Sequence, residues 1–107
     1  MQVLLTRSEE MYLLVVWELG DNAYGVTIKR QIGQRAGREV TYGALYFTLD
    51  QLVKKGLVQK RAGDPTGERG GRTRFFYTLS EEGLAALKAV REHQQRLWDG
   101  IGDLVFK

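Results

Sequence analysis

The chain has 107 residues, no cysteine, a single histidine and a formal charge of +3. That length holds one domain rather than two independent cores, and with no Cys and only His93, neither disulfides nor a thiolate or histidine metal site is expected. The longest apolar run, Met11 to Trp17, is far short of a membrane span and no signal-peptide pattern is present, so the expected compartment is the cytoplasm, with no membrane partner.

In chain order, Thr6-Arg7-Ser8-Glu9 reads as a capping box that starts a helix over about Arg7 to Leu19. Its residues Met11 to Trp17 are apolar on every side, which predicts one face on the core and another against a second subunit. Gly20-Asp21-Asn22 is turn chemistry, and Tyr24 to Ala36 reads as a short amphipathic helix on Ile28 and Ile32, ended by Gly37. Thr41 caps a third helix that reaches about Lys55 and stops at Gly56. Leu45, Leu49, Leu52 and Val53 form its core arc, and Gly43, Phe47, Asp50 and Lys54 the opposite arc. Tyr46 falls at the edge of that outer arc, and Tyr42 closer to the core side.

After Gly56 the period changes. Leu57 to Ala62 and Arg72 to Leu79 read as two strands of a hairpin, joined by the Gly-rich stretch Gly63 to Gly71. Ser80, followed by Glu81 and Glu82, starts a last helix, where carboxylates suit the positive end of the helix dipole. Leu87, Val90, Gln94, Leu97, Ile101 and Leu104 follow the 3-4 spacing of a coiled-coil seam, and Gly100 and Gly102 weaken its final turns.

Charge is distributed unevenly along these elements. Lys29, Arg30, Arg35 and Arg38 lie between Val26 and Arg38 with no acid among them. Lys60, Arg61, Arg69, Arg72 and Arg74 mark the hairpin against only Asp64 and Glu68. The order helix, helix, helix, hairpin, helix with one basic face predicts a mainly α winged helix-turn-helix. In that layout the third helix enters the major groove of double-stranded DNA and the hairpin wing lies along the phosphates. The expected DNA-contacting residues are Thr41, Tyr42, Gly43, Tyr46 and Phe47 on the helix, with Lys60, Arg69, Arg72 and Arg74 on the wing.

Four segments in order carry a family likeness: Tyr24 to Ile28, Gly43 to Leu49, Leu52 to Val58, and Gly71 to Gly83. Together they resemble the PadR family of transcriptional regulators over roughly Leu13 to Leu87. The resemblance implies a dimeric, mostly repressive regulator whose single C-terminal helix serves dimerisation. Phe47 stands where the family usually has Pro, Thr41-Tyr42 where it has Ser-Pro, and Phe75 where a basic residue is common. On this reading residues 1–79 form the DNA-binding unit and 80–107 the dimerisation helix, paired with the first helix of a partner in a homodimer on an inverted-repeat operator.

Rival readings are weaker. Gly67 to Arg72 lacks the Lys-Ser/Thr of a phosphate-binding loop, so no nucleotide cofactor is expected, and no nucleophile-base pair points to an enzyme. Trp98 beside the seam and Trp17 in the first helix are either dimer packing or stacking surfaces for a small hydrophobic effector. His93 is expected at the surface. A winged helix used only for protein or RNA interaction is the alternative function.

Overall fold

The computed structural model describes residues 5–63 and 74–106. Helix α1 spans Arg7–Leu19 and opens with the capping box: the Glu9 amide donates to Thr6 Oγ1 at 3.0 Å and the Thr6 amide to Glu9 Oε1 at 2.9 Å. Two of the four orphan donors of a helix start are thereby satisfied reciprocally. Tyr12, Leu13, Val15 and Val16 are buried, whereas Leu14 and Trp17 remain 50% and 60% exposed. The apolar run thus serves one core face and leaves a second, uncovered apolar face.

A single 3-10 turn, Gly20–Asn22, leads to helix α2, Gly25–Ala36. The buried Thr27 hydroxyl fastens its start by accepting from the Tyr24 amide at 3.0 Å and donating to the Asn22 carbonyl at 2.5 Å. Gly37 ends α2 in the left-handed region at φ 65°, the conformation that glycine adopts without steric cost. Helix α3, Tyr42–Lys54, is capped by Thr41, whose Oγ1 accepts from the Ala44 amide at 3.1 Å. Leu45, Leu49 and Leu52 are fully buried against Ile28 and Ile32 of α2 and the inner face of α1, in one core cluster.

Strands β1, Val58–Ala62, and β2, Phe75–Leu79, pair antiparallel with Val58 opposite Leu79 and Ala62 opposite Phe75. The hairpin base is bonded to the segment before α2 and closed by the residues that flank the two strands. The Tyr77 amide donates to the Ala23 carbonyl at 2.9 Å, and the Ser80 amide to the Leu57 carbonyl at 3.0 Å. Ser80 also caps helix α4, Glu81–Trp98, by accepting from the Gly83 amide, and its hydroxyl donates to the Gly56 carbonyl at 2.6 Å. Only Gly83 and Ala86 of α4 are buried, so its later turns stand away from the core.

The expected seam is interrupted. The helix stops at Trp98, Gly100 takes φ 76°, and a four-residue helix α5, Gly102–Val105, follows. Phe106 then folds back to stack on Trp98, with ring centroids 5.8 Å apart and planes within 9°. Gly100 ends the coiled-coil geometry because it adopts a conformation that helix propagation forbids, while Gly102 opens α5.

Candidate nucleic-acid interface

The surface built by α3 starts from its heptad-like inner arc: burying Leu45, Leu49 and Leu52 turns the opposite side outward. Phe47 is 66% exposed, a large apolar ring left in water. Gly43 is exposed, and a Cβ there would meet nothing nearer than Thr41 Oγ1 at 4.0 Å. Tyr42 departs from its expected core-side position, since the first turn of α3 extends past the core and leaves its ring half exposed. It stacks instead on Tyr46, at 6.2 Å between centroids, with Lys29 Nζ of α2 lying 5.5 Å from the Tyr42 ring centroid. Tyr46 is also half exposed, and its hydroxyl lies against Gly25, where a Cβ would be only 2.8 Å from the phenol carbon. Gly25 therefore sets where the Tyr46 ring rests over the start of α2, a role that composition and periodicity do not reveal.

The hairpin carries two different faces. Toward α3, Lys60 Nζ lies 4.0 Å from Asp50 Oδ1 and 4.4 Å from the centroid of Phe75. On the other face Arg61 lies 4.9 Å over Phe76, and Arg74 lies 4.2 Å over Tyr24, within cation-π range. Tyr24 and Phe76 meet edge to face at 5.5 Å, so the second face is clasped to the start of α2. Lys60 thus joins Tyr42, Tyr46, Phe47 and Thr41 on the α3 side, while Arg74 belongs to the opposite face. Arg69 and Arg72 lie outside the described residues.

The electrostatics follow from burial. Tyr77, on the inner face of β2, has its phenol pushed up to about 12 by desolvation first, then by the charge of Asp50 and by Tyr46. Burial also raises Tyr12, with a hydrogen bond from Thr48 and the charge of Arg38 opposing it. Burial alone would raise the Glu9 carboxyl. Hydrogen bonds from Lys55 and Thr6 and the Lys55 charge more than offset it, and Glu9 sits below the ordinary carboxylate range. The Lys55–Glu9 ion pair fastens the C-cap of α3 to the first turn of α1. Glu18 similarly holds α2 through Arg35 at 3.4 Å, which removes Arg35 from the pool of unpaired cations.

The two tryptophans are placed apart. Trp17 lines an open groove of about 920 Å³ with Leu14, Met11 and Arg35, while Trp98 borders a shallower hollow with Gln95 and Asp103. His93 is exposed on α4. Among the described residues no cluster of three metal-ligating side chains occurs, and no helix is long and apolar enough to cross a membrane.

Three helices, a two-stranded wing and a following helix define the winged helix-turn-helix class. Residues 13–89 match the transcriptional regulator PadR-like family, and the chain belongs to it. Among solved structures it is similar to hsRosR in the complex hsRosR-S4, at 35% identity, with a TM-score of 0.70, covering 88% of this chain and 74% of that one. A PadR-like transcription factor from Bacteroides fragilis shares the fold at 22% identity and a TM-score of 0.75, covering 91% of this chain and 88% of that one. So does a PadR family regulator from Clostridium difficile R20291, at 21% identity and a TM-score of 0.70, covering 92% and 98%. Among curated proteins none matches the chain. As a family of transcriptional regulators, this assignment sets the chain among regulators rather than enzymes.

Proposed function

We propose that the chain represses transcription by binding an inverted-repeat operator in double-stranded DNA as a homodimer. The observation that carries this reading is the outer arc of α3, where Tyr42, Tyr46 and Phe47 are exposed beside Lys60 of the wing and Lys29 of α2. A helix presenting aromatic and small residues, flanked by cations, fits the major groove: bases offer hydrogen-bonding edges and thymine methyls, and the phosphates on either side attract the cations. Residues 1–79 serve as the DNA-binding unit and 80–107 as the dimerisation helix.

The uncovered apolar surface supports pairing. Leu14 and Trp17 on α1, and Leu97, Ile101 and Leu104 along the C-terminal segment, are all about half exposed or more. Apolar surface of that extent favours association, and a two-fold dimer would present two α3 helices about 34–36 Å apart to successive major grooves. A small hydrophobic effector stacking on Trp98, or at Trp17, would act by changing that spacing.

The test is titration of genome-selected duplexes at several salt concentrations, by fluorescence anisotropy, with sedimentation for the assembly state. Binding should be tight, dimeric and steeply weakened by salt. Changing Arg72 and Arg74 together to Ala should weaken binding and flatten the salt slope. Unchanged affinity in that variant removes Arg72 and Arg74 from the contact surface and leaves Lys60 as the wing's contribution. A flat response to duplex DNA, together with a stable protein or RNA complex, would favour an interaction module instead.

A further inference from the structure

Asp50 is the one acid in α3, and it stands on the arc that faces outward with Tyr46 and Phe47, four and three residues earlier. Its side chain is 55% exposed. A carboxylate on a surface otherwise suited to phosphate is repelled by every backbone oxygen and by every base acceptor. It is tolerated only where a hydrogen-bond donor meets it. Resting on the DNA-binding reading above, we propose that Asp50 sets the sequence discrimination of the protein by accepting from the exocyclic amino group of a cytosine, with Lys60 as the residue that positions it.

The chemistry selects cytosine. Two bases present a donor in the major groove, cytosine through N4 and adenine through N6. The adenine amino group lies beside N7, an acceptor that repels a carboxylate, whereas the cytosine amino group lies beside a C–H edge. Asp50 would therefore reward one base and oppose the other three. Lys60 completes the arrangement because its Nζ is held between Asp50 Oδ1 at 4.0 Å and the Phe75 ring at 4.4 Å. A cation held on one side orients the carboxylate and screens it from the phosphates, while the side chain, 55% exposed, keeps room to accept from a base. The ring of Phe75 fixes the cation where a free wing lysine would reach outward. Phe75 and Lys60 are on the wing face turned toward α3, so the hairpin contributes to base reading through Asp50 rather than through phosphate alone.

The experiment is random-sequence selection followed by binding of the full chain, wild type against Asp50→Asn and Lys60→Met, to the selected duplex, the same duplex with one C·G pair replaced, and an unrelated duplex. The wild type should enrich cytosine at one position in each half-site. Replacing it should cost the wild type about 5- to 100-fold in affinity, the range for losing one base-specific contact. Asp50→Asn should bind unrelated DNA several-fold more tightly and lose the enrichment at that position. Lys60→Met should weaken the enrichment, with Lys60→Arg restoring it. An Asp50→Asn protein with the wild-type selection profile, its fold verified by circular dichroism, overturns the proposal while leaving DNA binding intact. A wild-type protein that enriches no sequence overturns the DNA-reading function and this inference together.

Discussion

One substitution, made at two glycines, should change stability in opposite directions. In a helix interior Ala is favoured over Gly by about 1 kcal/mol, since glycine loses more backbone freedom on folding. At Gly33 in α2 the nearest atom to an added Cβ is the Arg38 carbonyl oxygen at 3.9 Å, an ordinary contact. At Gly83 in α4 the Cβ would stand 3.1 Å from the Leu57 carbonyl carbon, nearer still to its oxygen, and 3.3 Å from Leu79 Cδ2. That carbonyl cannot simply withdraw, because it accepts the Ser80 amide at 3.0 Å and joins the hairpin base to the cap of α4. Overpacking costs about 1–3 kcal/mol and a weakened hydrogen bond about 1 kcal/mol more, against a propensity gain of about 1 kcal/mol. Gly33→Ala should therefore gain about 0.5–1 kcal/mol and Gly83→Ala lose about 1–3 kcal/mol. Urea denaturation followed by far-UV circular dichroism reads both, with midpoints moving apart at constant slope. A Gly83→Ala protein as stable as the wild type would refute the close approach of α4 to the turn after α3.

Other outcomes follow from the same contacts. Lys55→Met removes the partner of the buried Glu9 carboxylate and leaves the desolvation that pushes its pKa up. Because Glu9 is held below its ordinary value in the folded wild type, its stabilisation is present above the unfolded-state pKa and fades as pH falls through the folded value. Acid unfolding of the variant should begin at higher pH than in the wild type, and coincident acid titrations would show that the pair does not govern acid stability. Tyr77 carries the reverse sign: with its phenol raised to about 12, stability is intact below the ordinary tyrosine range and declines as pH rises from there through the folded value. Tyr77→Phe should lessen that alkaline decline in thermal melts, and an unchanged alkaline profile would contradict the burial assigned to Tyr77. Gly25→Ala should drive the Tyr46 ring from its place over α2, lowering duplex affinity by about tenfold while thermal stability changes little, since the displaced group is the far end of a half-exposed side chain. Equal losses in both measurements would show that the packing there is structural alone.

Local signals made much of the fold legible. The Thr6–Glu9 box, Thr41 and Ser80 name their helix starts because capping is a contact over three residues, and each forms in the structure. The inner arc of α3 is equally plain, as Leu45, Leu49 and Leu52 repeat at helical spacing and are all buried. Tyr42 was hidden from the wheel because a helical projection assumes core along the whole length, and the first turn of α3 overhangs it. Contacts between distant elements left no periodic trace. Lys55 meets Glu9 across 46 residues, and Arg74 covers Tyr24 from the wing, where the sequence read as an exposed cationic ribbon. The place of Asp50 on the outer arc is legible from helical spacing, but its pairing with Lys60 depends on the angle between wing and helix, which no local pattern encodes.

With the outer arc of α3 in the groove of a duplex, Phe47, at 66% exposure, is the side chain set to enter it. A photo-crosslinking amino acid at position 47, irradiated on a selected duplex, probes that placement directly. A crosslink to a base in each half-site is expected, with none from the same group placed at the exposed His93 on α4. Crosslinking from position 93 but not from 47 would contradict it.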